Sequence, residues 1–238
     1  MAIVTYISGE AVKVLDQTEE AIHHGDILYS DVTIKIKENA ILDLTFSDKS
    51  IVRLKEKATL KLSLMAETKK GGHIHRLDLS KGKILNMVSK IKEDGDYTVT
   101  APTAIAGVRG TVFEVIADEE TTVFVAEGNV QVDSLIGKKE KHSLLEKRGV
   151  TIRDEKDYLF GDPERAAALL LEAEEMKGNK KKISEETLKL TNQLADVKIE
   201  AELSKIFNKD IELIELSDGR TLRGVIVSML KEKCWSRQ

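Results

Sequence analysis

The sequence predicts a mainly β protein, and three observations carry that prediction. Apolar residues recur at every second position over most of the first 156 residues, and turn residues separate these short runs at even spacing; near residue 163 the pattern gives way to an Ala/Leu/Glu-rich stretch. The expected organisation is an all-β domain over 1–156, β-solenoid or sandwich-like, then a helical segment over 157–207 and a C-terminal β-hairpin within 208–238.

Val12 with Val14, and Val32 with Ile34 and Ile36, show the spacing of strands with one buried face. Further strands are predicted at Ile41–Phe46, Ser50–Leu54, Thr59–Leu64, Ile74–Leu79, Lys83–Val88, Tyr97–Thr100, Thr111–Ala117, Thr122–Ala126, Asn129–Val132 and Ser143–Ile152. Glycines fall mostly between them, where a positive φ or a close backbone approach would be costly for other residues. Brief strands of similar length suit a coiled stack whose rungs share a hydrophobic face; no strict repeat is visible, so a sandwich stands beside it.

Asp162 is placed to cap a helix whose first position is Pro163 and whose first turn holds Glu164. That helix is expected over about 163–177, ended by Gly178-Asn179. A second is expected over about 184–206, with Leu190, Leu194 and Val197 in a stripe that packs on the first helix or the β domain, or on a second copy of the chain. Ile211–Leu216 and Thr221–Leu230 flank an Asp218-Gly219 turn and read as a hairpin. A lone hairpin is marginal in water, so this one is expected to complete a sheet elsewhere or to open a small truncated or swapped β domain.

Composition narrows the function. Aromatic residues make up 4% of the chain against 41% hydrophobic, so the core is aliphatic and poorly suited to a ring-lined ligand cavity. The 37 basic and 41 acidic residues leave a formal charge of −4, which disfavours nucleic acid. The single cysteine, Cys234, excludes an internal disulfide. No run approaches the roughly 20 apolar residues of a membrane span, and no signal peptide is visible at Met1–Val4; a chain beginning after a removed signal or lipid anchor would look the same.

The run Tyr97–Val115 contains Ala101-Pro102-Thr103-Ala104-Ile105-Ala106-Gly107-Val108-Arg109-Gly110-Thr111. It resembles the central signature of FecR domains, T-P-x-A-x-A-G-V-R-G-T. Ser8–Val12 is similar to that family's opening strand, Gly25–Leu28 to its G-D-x-L turn, Leu44–Leu54 to its F-x-D-G-S hairpin, and Val123–Val132 to its closing hairpin, so the likeness covers roughly 3–153. Lys49 stands where the family has a turn glycine, and Ala101 where it has threonine. The resemblance implies a FecR-type all-β domain at the bacterial envelope, often periplasmic, which senses or scaffolds by binding a protein or envelope component and needs no cofactor.

Within the signature Pro102, Gly107, Gly110 and Thr111 read as architectural, the glycines turning the backbone on either side of Val108-Arg109 and Pro102 barring a further edge partner. Arg109 is the candidate binding residue, able to receive a carboxylate or phosphate; the alternative is that it satisfies local carbonyls or Glu114. Gly107–Thr111 lacks the lysine and following helix of a phosphate loop. His73 and His75, two apart, are the metal candidates, set against an exposed loop without metal, since no third ligand is evident. Besides the binding module, two readings remain: a structural envelope protein that oligomerises through its helices and hairpin, and a hydrolase with an unrecognised carboxylate pair.

Overall fold

The spacing-two pattern is realised as short strands that pass back and forth between two layers. The computed structural model describes residues 1–15, 18–154 and 156–179, and two further strands at 212–215 and 221–224. β1 (Ala2–Ser8) lies in one sheet, sheet A, and the hairpin β2 (Ala11–Leu15) and β3 (Thr18–Ala21) in the other, sheet B. β4 (Ile27–Leu28) returns to A, β5 (Thr33–Ile36) to B, and the hairpin β6 (Ile41–Phe46) and β7 (Ile51–Leu54) to A. β8 (Thr59–Glu67) pairs in B with the first half of β9 (His73–Met87), whose second half bends into A.

Four hairpins follow, in B, A, B and A: β10 (Asp96–Thr100) with β11 (Ala104–Val108), β12 (Val112–Ala117) with β13 (Thr121–Glu127), β14 (Asn129–Ser134) with β15 (Lys141–Leu145), and β16 (Arg148–Arg153) with β17 (Lys156–Gly161). Sheet A thus runs β4-β1-β6-β7-β9-β12-β13-β16-β17, and sheet B β3-β2-β5-β8-β9-β10-β11-β14-β15. Of the two architectures expected, the sandwich-like one is built. A solenoid is not supported: stacked coils lie parallel, whereas among the described strands only β9 and β10 pair in parallel.

One core fills the space between the sheets. Leu42, Leu44, Ile84, Phe113, Val123 and Val150 point inward from A; Ile34, Leu60, Leu77, Val99, Val130 and Val132 do so from B, all fully buried. Sheet A has a second apolar face. Ile51, Leu85, Val112, Phe124 and Ala126 pack there against Ala166, Leu169, Ala173 and Met176, the apolar stripe of a helix α1 described over 163–179. Burial on both faces explains why β7 reads as an unbroken buried run. The predicted cap holds: the Arg165 amide donates to Asp162 Oδ1 at 2.9 Å.

Between those apolar contacts the outer face of sheet A carries buried charge. Arg53 and Asp43, opposite each other on β7 and β6, form a two-pronged pair at 2.7 and 2.9 Å. From α1, Glu172 and Glu175 add contacts to Arg53 at 3.4 and 3.2 Å, and Asn179 donates to Asp43 at 3.3 Å. Burial alone would make Arg53 easier to deprotonate; hydrogen bonds and charge from Asp43 and then Glu175 outweigh it, raising its pKa and keeping the guanidinium charged.

Several elements differ from expectation. Ala104–Val108 forms a strand where a turn was predicted, β17 adds an edge strand, and Ile74–Leu79 with Lys83–Val88 merge into the single β9. Ser8 and Gly9 lie at the end of β1 and the turn after it, so the stretch likened to one opening strand spans two. Residues 178 and 179 are still helical, so Gly178-Asn179 does not end α1; Asn179 is held over the sheet by Asp43 instead. Lys49 does take the left-handed conformation of the glycine it replaces, at φ 73°.

The chain divides into two units, Met1–Ile183 and Ser184–Gln238. In the second, β18 (Glu212–Glu215) and β19 (Thr221–Gly224) pair antiparallel. The helix expected over 184–206, with Leu190, Leu194 and Val197, lies outside the described residues, as does the Asp218-Gly219 turn.

Candidate functional site

The signature folds as strand, turn, strand, turn, strand. Pro102 is exposed in the β10–β11 turn, which the Ala101 amide closes by donating to the Ala104 carbonyl at 2.8 Å. Since β10 is paired on both sides, by β9 and β11, Pro102 does not guard an edge, contrary to expectation. Thr103, not singled out by the sequence, anchors the turn: its buried hydroxyl donates to the Ile152 carbonyl at 3.0 Å and accepts from the Thr121 amide at 3.1 Å. The signal available was a small hydroxyl residue directly after proline, which suits a turn that bonds back to backbone.

Gly110 sits in the turn after β11. Its φ is +89°, and a side chain there would press to 3.2 Å from the Lys90 Cα. Thr111 is buried, exchanges backbone hydrogen bonds with Val88 at 2.9 and 3.2 Å, and donates from its hydroxyl to the Asn129 carbonyl at 2.9 Å. Gly107 is different. It sits inside β11 in regular register with Thr98 and Gln131, without a positive φ, so it makes no turn.

Arg109 does not meet Glu114. That carboxylate, buried on the outer face of sheet A, is taken by Arg165 of α1, with Nε at 3.1 Å, and by Lys83 at 3.7 Å. Arg109 is exposed and has no hydrogen-bond or ion-pair partner among the described residues. It lines a hollow of about 370 Å³ on sheet B with Asp96, Gly107, Val108, Asn129 and Gln131. The Asp96 carboxylate is already engaged, by the Thr98 hydroxyl at 3.2 Å and Arg76 at 3.7 Å. Arg109 is therefore the uncompensated charge of the hollow.

His73 and His75 lie on β9 and not in an exposed loop; their rings are nearly parallel with centroids 6.1 Å apart. His75 is buried against Phe46 and Tyr97, with its Nε2 3.4 Å from Asp48 Oδ2, a contact short of a well-formed hydrogen bond. Burial would raise the Asp48 pKa, but His75 and the Ser50 amide and hydroxyl outweigh it and lower it below 3.8. Asp48 therefore contributes stability that is complete above its unfolded pKa and is lost as pH falls through its lowered folded value. Between about pH 5 and pH 3 the thermal midpoint is expected to fall more steeply in the native chain than in Asp48→Asn, measured by circular dichroism.

The described residues bring together a different set of metal-ligating type, Glu140, His142 and Asp157, with one ligand atom of each within 4.8 Å of the others. His142 Nε2 lies 2.6 Å from Asp157 Oδ2, a hydrogen-bond contact that ties the edge strand β15 to the edge strand β17. The shifted carboxylates Glu19, Asp48 and Asp94 all move down, the direction opposite to that of a general acid.

Residues 32–131, from the approach to β5 into β14, match the family model described as FecR protein. No curated protein matches the chain. Two crystal structures of a "putative anti-sigma factor" from Parabacteroides distasonis ATCC 8503 align at 20% identity and TM-score 0.49, over 58% of this chain. The chain spans 64% and 63% of the length of those two structures, less than two thirds. The matched segment holds the whole signature and every residue that lines the hollow around Arg109, and over that segment the chain is similar to FecR proteins.

Proposed function

We propose that this chain is a FecR-type sensor or scaffold module that acts by binding a protein partner at the bacterial envelope, without catalysis. One observation carries the reading: the two outer faces of the sandwich are unequal. That of sheet A is closed by α1 and its ion pairs, whereas the signature strand β11 lies within sheet B beside a polar hollow with an uncompensated arginine. Burying Glu114 and Arg53 under a helix spends the sheet's charged positions on architecture, and Arg109 is left for recognition. The envelope address follows from the family resemblance. Among the described residues no helix is long and apolar enough to cross a membrane.

The test is site-specific photo-crosslinking in the native bacterium, with the crosslinker placed in turn at Thr98, Gln131, Leu145, Tyr29 and Leu171 of the full chain. A discrete protein adduct from at least one position, reproduced in independent cultures, is the expected outcome. Absence of protein adducts from all positions, with the chain folded and expressed, overturns the binding reading.

A further inference from the structure

Gly107 is a glycine that the fold does not require. It lies within β11, paired to Thr98 on one side and Gln131 on the other with no register shift. Its φ is outside the left-handed region, and a Cβ built on it meets no atom within 4 Å. Glycine weakens a strand, and inside one it marks a bulge, a tight bend, or a place where a ligand or another backbone comes close. The regular register removes the first two causes.

The third fits the surroundings. The missing side chain opens the hollow on sheet B, with Arg109 at its side and without a partner among the described residues. The Asn129 Oδ1 and Gln131 Nε2 atoms are turned to the Ser143 hydroxyl, at 3.4 and 2.9 Å, which leaves the other edge of each amide to face a ligand. One donor edge, one acceptor edge and a guanidinium are the groups that recognise a main chain bearing an acid.

We propose that an extended acidic peptide segment of a protein partner lies over Gly107, its main chain seated where the side chain is missing and a carboxylate held by Arg109. This rests on the binding reading above and adds the place and the chemistry.

A random dodecapeptide display library is panned against the full chain, and enriched peptides are titrated by fluorescence anisotropy. Peptides rich in Asp or Glu are expected. Gly107→Val is expected to keep or raise the thermal midpoint, because valine favours a strand, while weakening peptide binding by about tenfold or more. Arg109→Ala, and replacement of the peptide's acids by amides, should each cost about tenfold as well.

A Gly107→Val protein that melts earlier would give the glycine a structural role and overturn the proposal. So would acidic peptides that bind it undiminished, a library that yields no acidic peptides, or soluble peptidoglycan fragments that compete for Arg109 in their place. Crosslinked partners together with peptides indifferent to Gly107→Val would refute this site alone; absence of both would refute the binding reading.

Discussion

Arg53→Met is expected to lower the free energy of unfolding by about 3–5 kcal/mol, measured by urea denaturation, because it strands a buried carboxylate. Asp43 has no exposed surface, and its two-pronged partner is the Arg53 guanidinium. Without that cation it keeps Asn179 and no positive charge among the contacts described. Glu172 still has Lys55 at 2.7 Å, so the loss falls mainly on Asp43. Pairing Arg53→Met with Asp43→Leu should recover most of the loss, since an apolar pair of similar volume replaces an ion pair at little cost. A single substitution costing less than about 1 kcal/mol would show that water reaches the pair and that α1 does not seal this face.

Gly82→Ala is expected to cost about 3 kcal/mol, the sum of a left-handed backbone penalty and forced movement of main chain. Gly82 has φ +91° at the point where β9 leaves sheet B for sheet A, and its Cβ would fall 2.4 Å from the Ala58 Cα. A flexible side chain could yield; a backbone atom cannot without opening the β8–β9 pairing. Gly107→Ala is the control, with a change near zero or slightly stabilising, because neither strain nor contact opposes it. Equal losses at the two glycines, in thermal and denaturant melts of both variants, would show that position in the bend is not what matters.

The strands legible in the sequence were those whose two faces differ. Ile34 and Ile36 alternate with exposed or half-buried neighbours, so period two survives in the residue types. β11 was hidden because Ala104, Ala106 and Gly107 are weak strand formers, and two glycines three apart resemble a turn; it is a strand because β10 pairs with it on one side and β14 on the other. β17 was hidden as an edge strand, with Tyr158 and Leu159 exposed and little alternation to read.

The candidate site was half legible. Arg109 stood out as a cation between glycines, yet its freedom depends on Glu114 being taken by Arg165, 51 residues further along the chain. No local pattern encodes a contact of that range. For His73 and His75 the sequence offered a shared strand face or an exposed loop; both lie on β9, and the third group near them, Asp48, reaches His75 from the turn of another hairpin.

By itself the sequence determined the β class, the cap at Asp162, the left-handed turn at Gly110 and the FecR signature, all of which rest on interactions between near neighbours. Tertiary structure alone decided that the strands close as a two-layer sandwich, that α1 seals sheet A, and that Gly107 and Arg109 lie open on sheet B. Those outcomes depend on which faces find partners far along the chain, and burial is a property of the assembled layers, not of any one segment.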